Sequence, residues 1–257
     1  MGGVSEEKDL GLSPQGVPVA EVLPLRGVRK MLAEHMLRSH LGYASFTLMG
    51  EADVSEFQTF RREVATRVEQ EAGVHLSFTH FMVKVLAQSI RQHPIINSTL
   101  VEDSILILAD INIGVAVAIE GGFLVVPVIK QADRKSILEV AREGGRLADK
   151  ARNHKLTLED VTGGTFTLSN AGAFGPRSSE GGGSWSTPII TEPQSAVLAL
   201  GAIRQAAVVR GGQIVIRAML PTSLTVDHRV INGVPAGDFI RTVNHLLERP
   251  DEVDFGL

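Results

Sequence analysis

The segment SLTVDHRVINGVPAG, residues 223–237, runs an apolar stretch into Asp227, His228 and Arg229 and then into a turn closed by Asn232 and Gly233. An ionisable ring therefore stands at the end of a strand, on a turn crowded with hydrogen-bonding groups. Imidazole has an ordinary pKa of about 6.5, so it can take up and return a proton near neutral pH. His228 is the candidate general base, although from spacing alone a hydrogen-bonded structural histidine fits as well. The second candidate is Ser169, which ends GTFTLS (164–169) and precedes Asn170, Gly172 and Gly175. Small residues there let a ligand come close to the backbone; a serine at a strand end is also a common turn former. His35, His40, His75, His80, His93, His154 and His245 stand in helical or loop contexts without a ligand-like pattern, and read as surface or packing residues.

Other chemistries lack their signatures. The chain has no GxxxxGK[ST], no strand-bound GxGxxG, no HExxH and no GxSxG. It has no cysteine, which removes disulfides, thiolate metal sites and a cysteine nucleophile. Any thiol in the reaction must arrive on the substrate.

The elements that must position these residues follow from periodicity. Helical spacing covers 27–40, a region from Asp53 or Ser55 to Gly73, 77–92, 135–153 and 235–248. Strands are expected at 45–52, 164–169, 196–200, 203–209, 214–218 and 222–227. INIGVAVAI (111–119) and FLVVPVI (123–129) read as a strand pair turned at Gly121-Gly122. This order is no regular βαβ alternation, so the expected fold is a layered α/β (α+β) domain with a mixed sheet flanked by helices. Residues 175–186, GPRSSEGGGSWS, break the pattern as a loop, either a surface insertion or a flap near the site.

Composition sets the outer limits. Of 257 residues, 44% are hydrophobic and 21% charged, which fits a folded domain rather than a disordered chain. A net charge of -4 supplies no global basic field for nucleic acid or an anionic membrane. No apolar run reaches the roughly 20 residues that span a bilayer. Residues 1–20 read as a flexible linker remnant rather than a signal peptide, and 21–257 as one domain.

Taken together, DHRVING (227–233), GGTFTLSNAGAFG (163–175), TPIITEPQSAVLALGAI (187–203), INIGVAVAIEGGFLVVPVI (111–129) and HPIINS (93–98) resemble the catalytic core of dihydrolipoamide acyltransferases. These share a fold with chloramphenicol acetyltransferase, and the resemblance covers roughly residues 22–253. It implies acyl transfer between a lipoyl thiol and coenzyme A, with acetyl or branched-chain acyl favoured over succinyl. It makes His228 the general base, Ser169 the oxyanion donor, and Asn232 an organiser of the turn, with Arg61 as its expected partner. Asp227, Arg229 and Gly233 would brace the turn. Coenzyme A is then a substrate, the lipoyl group rides on a separate domain, and no metal is needed.

The resemblance also implies a homotrimer with the site between subunits, built into a cubic 24-mer or an icosahedral 60-mer. Its partners would be the 2-oxo acid decarboxylase/dehydrogenase, the dihydrolipoamide dehydrogenase and the lipoyl domain, in the cytoplasm or a mitochondrial matrix. Two alternatives stand beside it: a catalytically silent scaffold, and a stand-alone coenzyme A-dependent acyltransferase with another acceptor. Two departures from the family pattern are the long 175–186 loop and LGYASF at 41–46.

Overall fold

The computed structural model describes residues 11–173 and 185–257. The chain divides into two bodies, one ending at Arg38 and one starting at Ser39. In the first, Leu12 and Pro18 form an isolated bridge around a turn. Helix α1 (Gly27–Gly42) starts there. No helix among the described residues is long and apolar enough to cross a membrane.

The second body carries β1 (Ser45–Asp53), α2 (Ser55–Ala72), α3 (Phe78–Gln92), β2 (Ser98–Val101), β3 (Ser104–Ile107), β4 (Ile113–Val115), β5 (Val117–Ala118), β6 (Leu124–Val125) and β7 (Val128–Ile129). It continues with α4 (Ile137–Arg152), α5 (Leu158–Val161), β8 (Phe166–Asn170), β9 (Ala196–Leu200), β10 (Arg204–Arg210), β11 (Gln213–Asp227) and α6 (Gly233–Glu248). Seven strands make one sheet in the order β1-β11-β9-β8-β4-β7, with β10 paired to β11. Strand β8 runs parallel to β4 and β9, and the other pairs are antiparallel, so the sheet is mixed.

Period two decides what each sheet face meets. Leu220, Leu224 and Val226 of β11, Leu198 of β9 and Phe166 and Leu168 of β8 join the core with Phe57, Phe81 and Phe239 from α2, α3 and α6. The alternate positions, Thr167, Val197, Ala199, Ser223 and Thr225, are small or polar; they are buried too but lie outside that core.

The expected elements differ from the observed ones in four places. Residues 111–129 form two short pairs, β4 with β7 and β5 with β6, because the chain leaves the sheet after Val115. Hairpin β2–β3 turns at Glu102 and Asp103, with Glu102 at φ 51 and no glycine to announce it. The two strands expected at 214–218 and 222–227 are one strand running through Pro221. Its carbonyl accepts from Gly201 N–H at 2.8 Å, so the absent N–H faces the gap between the end of β9 and the start of β10, where no ladder bond is due. Helix α6 starts at Gly233 rather than 235, with Pro235 in the first turn, where helical N–H groups have no intrahelical partner.

Asp53 caps no helix through its N-cap position; it ties the β10–β11 hairpin to the start of α2. Only 3% exposed, its carboxylate accepts from Arg217 Nε at 2.7 Å, Arg210 Nη2 at 3.1 Å and Ser55 Oγ at 2.7 Å. Burial pushes its pKa up, but the bonds from Arg217, Ser55 and Arg210 outweigh this and hold it below the ordinary carboxylate value. A depressed folded-state pKa contributes stability at neutral pH that is lost as the pH falls through it. Asp53→Ala is expected to cost about 1–3 kcal/mol in urea unfolding at pH 7, because Ser55 and two partly exposed guanidinium groups lose a buried acceptor. The gap from the parent protein should narrow in acid.

Candidate active site

Strand β11 leads into the turn that carries His228. Asp227 N–H donates to Ser195 carbonyl at 2.9 Å, and His228 N–H donates to Ala44 carbonyl at 2.9 Å, so the turn is clamped from both sides. Asp227 is fully buried and its carboxylate is taken by Arg229, through Nη2 at 2.7 Å and Nε at 2.9 and 3.1 Å. The Arg229 guanidinium lies over the Tyr43 ring at 5.5 Å. Burial, followed by the charges of Glu192 and Asp227, pushes the Tyr43 phenol up to about 12, against the opposing pull of Arg229, so it stays protonated. The acid–guanidinium pair thus fixes the backbone on both sides of His228 and leaves the ring to Phe46, whose centroid is 5.0 Å away. The His228 side chain is exposed.

Asn232 takes the N-cap position of α6 with extended backbone, and its carbonyl accepts Ala236 N–H at 3.2 Å. Its side chain makes no cap bond and is exposed. Arg61 does not reach it within the chain. The Arg61 guanidinium sits 5.9 Å over Phe78, because its turn of α2 faces the start of α3 and not that of α6. Gly233 opens α6 where an added Cβ would meet nothing within 4 Å, so sterics do not require glycine there.

Ser169 belongs to the other end of the sheet. It pairs with Ala199, and Ala199 pairs with Ser223, five residues before His228 on β11. At about 3.3 Å per residue and about 4.8 Å per strand, Ser169 and His228 of one chain stand roughly 19 Å apart. One copy cannot bring that hydroxyl and that ring to a single carbonyl.

The half-buried Ser169 sits on a pinned strand end. Ala116 N–H donates to Leu168 carbonyl at 3.0 Å, and Asn170 Nδ2 donates to Thr79 Oγ1 at 3.3 Å. At Gly172 a Cβ would fall 2.3 Å from the Gly201 carbonyl oxygen, so only glycine lets this turn close against the end of β9. Beside it opens a cavity of about 680 Å³ between the start of α3, the middle of α4 and β4–β5, with Asn170 in its wall. Sequence reasoning missed this cavity, since its lining comes from five separate segments. Most of 175–186 lies outside the described residues. Trp185, at its edge, places its indole N–H 3.5 Å from the Gly50 carbonyl and its ring 6.0 Å from Arg204 Cζ. Among the described residues no three His, Asp or Glu side chains converge as a metal site.

Residues 18–254 match the family model for 2-oxoacid dehydrogenases acyltransferase (catalytic domain). The chain belongs to that acyltransferase family. It is 38% identical over 248 residues to the lipoamide acyltransferase component of the branched-chain alpha-keto acid dehydrogenase complex of Bacillus subtilis, covering 96% of this chain and 57% of the relative. It is 35% identical over 228 residues to the dihydrolipoyllysine-residue succinyltransferase component of the Haemophilus influenzae 2-oxoglutarate dehydrogenase complex, covering 89% and 54%. This family member thus spans little more than half the length of those relatives.

Among solved structures, the Azotobacter vinelandii dihydrolipoamide acetyltransferase superposes with a TM-score of 0.83 at 33% identity, over 91% of this chain and 93% of that one. That structure was determined to investigate a serine, a histidine and, four positions further on, an asparagine in the catalytic mechanism. Chloramphenicol acetyltransferase, at 16% identity and a TM-score of 0.50, covering 88% of this chain and 99% of that one, shares the fold.

Gly172→Ala is expected to lower stability by about 1–3 kcal/mol, since the new methyl must push backbone aside. Gly233→Ala should be close to neutral. Thermal unfolding of the two variants side by side checks the contrast.

Proposed function

We propose that this family member transfers an acyl group between a dihydrolipoyl thiol and coenzyme A, with His228 of one copy and Ser169 of another meeting at one site. The observation that carries the reading is the separation of these two residues at opposite ends of the same sheet. Each is held on a well-braced strand end, yet neither has its partner within the chain. A second copy supplies what the first lacks.

In this reading His228 takes the proton from the attacking thiol, whose ordinary pKa is about 8.5. The thiolate forms a new carbon–sulfur bond at the thioester carbonyl, and the carbonyl π electrons move to oxygen. The Ser169 hydroxyl donates to that oxyanion. Collapse re-forms the carbonyl and breaks the old carbon–sulfur bond, and His228 returns its proton to the departing sulfur. No acyl-enzyme is needed, and the sequence balances in both directions. The step of four residues from His228 to Asn232 equals that between the histidine and asparagine studied in the Azotobacter enzyme, which supports giving Asn232 a part in ordering the turn.

We place the chain in a homotrimer that builds a 24-mer or 60-mer shell, serving the 2-oxo acid dehydrogenase and dihydrolipoamide dehydrogenase components in the cytoplasm or a mitochondrial matrix. A solved relative forms the cubic core of a pyruvate dehydrogenase complex, which supports a shell. Acetyl or branched-chain acyl is favoured as the transferred group.

The core should transfer acyl groups from acetyl- or isobutyryl-coenzyme A to dihydrolipoamide; no transfer with any acyl donor would leave only the scaffold, and transfer only to a non-thiol would leave a different acceptor. His228→Ala should lower turnover by about 10²–10⁴-fold and Ser169→Ala by about 10²–10³-fold. Subunits of the two variants, exchanged at equal amounts, should regain activity at about a quarter of the sites of a cyclic trimer, because some neighbours then pair an intact ring with an intact hydroxyl. No recovery in fully exchanged trimers would place both residues in separate roles.

A further inference from the structure

The segment LGYASF, which departs from the family pattern, runs beside the turn that carries His228 and meets it residue by residue. Ser45 pairs with Asp227 in the β1–β11 ladder, and Ala44 carbonyl accepts His228 N–H at 2.9 Å. The Tyr43 ring faces the Arg229 guanidinium at 5.5 Å. The first two contacts use backbone and survive a change of side chain. The third depends on the residue at position 43, and Tyr43 is the chain's only tyrosine.

Arg229 is the member of the turn most open to exchange with water. Its side chain is 46% exposed, whereas that of Asp227, which it serves, is 1% exposed. Loss of the guanidinium to solvent would strand a buried carboxylate, and the turn would have to open to hydrate it. A guanidinium donates in its plane and stacks through its face, so one group can do both at once. Here Nη2 and Nε hold Asp227 at 2.7 and 2.9 Å while the face meets the Tyr43 ring. The ring shields that face from water, and its π electrons attract the cation. The phenol has no part in moving protons near neutral pH, since burial, then the charges of Glu192 and Asp227, push its pKa up to about 12.

We infer that Tyr43 is a positioning residue for the proposed base: its ring holds Arg229 on Asp227, so that the turn between them presents the His228 imidazole in one orientation. The inference rests on the acyl-transfer reading and goes beyond it by naming what aims the base. It gives Tyr43 no contact with either thiol.

Two variants separate ring from hydroxyl. Tyr43→Leu keeps an apolar side chain and removes the π face; Tyr43→Phe keeps the face and removes the hydroxyl. In Tyr43→Leu, kcat should fall about tenfold, the scale of one partly desolvated cation–π contact, with KM for both thiols changed less than about twofold. Tyr43→Phe should hold kcat within about twofold of the parent protein. Added to Arg229→Lys, which has already lost the stacked fork, Tyr43→Leu should cost less than about twofold more. Tyr43→Met repeats the test should Tyr43→Leu fail to assemble.

An unchanged kcat in Tyr43→Leu overturns the inference. So does a raised KM, which would put the residue in a binding surface, or an equal loss in Tyr43→Phe, which would put the role in the hydroxyl. Full additivity with Arg229→Lys would separate Tyr43 from the pair and overturn it too. A merely structural role would lower the unfolding temperature and leave kcat per assembled site unchanged. Independently of activity, hydrogen exchange followed by mass spectrometry should quicken about tenfold over 227–231 in Tyr43→Leu and not in Tyr43→Phe, with the β8–β9 ladder unchanged. If the parent protein transfers no acyl group, the reading of function fails, and these exchange rates still decide whether the ring holds the turn.

Discussion

Strand β11 is the member on which the rest depends. Over its fifteen residues it is held by β10 and then β9 along one edge, and from Met219 to Asp227 by β1 along the other. Ladders on both edges leave it no freedom to slide, so the turn at its end is fixed by the register far behind it. The same ladders reach β8 through β9 and set the level of Ser169. Because β9 is antiparallel to β11 and parallel to β8, the two strand ends that carry the proposed base and donor point in opposite directions. The roughly 19 Å between ring and hydroxyl is thus a property of strand direction, which no side-chain repacking can change.

Charge is used chiefly to secure this frame. Asp53 fixes the root of the hairpin, Asp227 and Arg229 fix the turn, and Lys150 with Arg146 holds the buried Asp160 below α4. Each buried carboxylate has a hydrogen-bonded cation, the condition under which a charge can be kept out of water. In contrast, His228 and Asn232 lie exposed and make no side-chain hydrogen bond among the described residues.

The candidate residues could be singled out because each is a polar group near the end of a strand-like run. His228 follows a run of inward-facing β11 residues, and Ser169 ends the β8 run. The helices were legible from their stripes. What could not be read came from tertiary choices. The turn at Glu102-Asp103 adopts positive φ without glycine, Pro221 continues a strand because its missing N–H falls in a gap, and residues 111–129 divide between two sheets. Arg61 is turned by helix α2 toward Phe78 within its own chain. The opposition of Ser169 and His228 needed strand order, and the cavity between α3 and α4 needed five segments brought together.

Pro221 has a reach beyond its own position. A two-residue slip of β11, the smallest that keeps its apolar side inward, would carry the proline opposite a strand that offers a carbonyl, and that carbonyl would go unmet in the interior. Only one alignment avoids the loss. A ring that contributes nothing to chemistry therefore acts as an index pin, excluding misaligned sheets about 23 Å from the imidazole whose aim they would spoil.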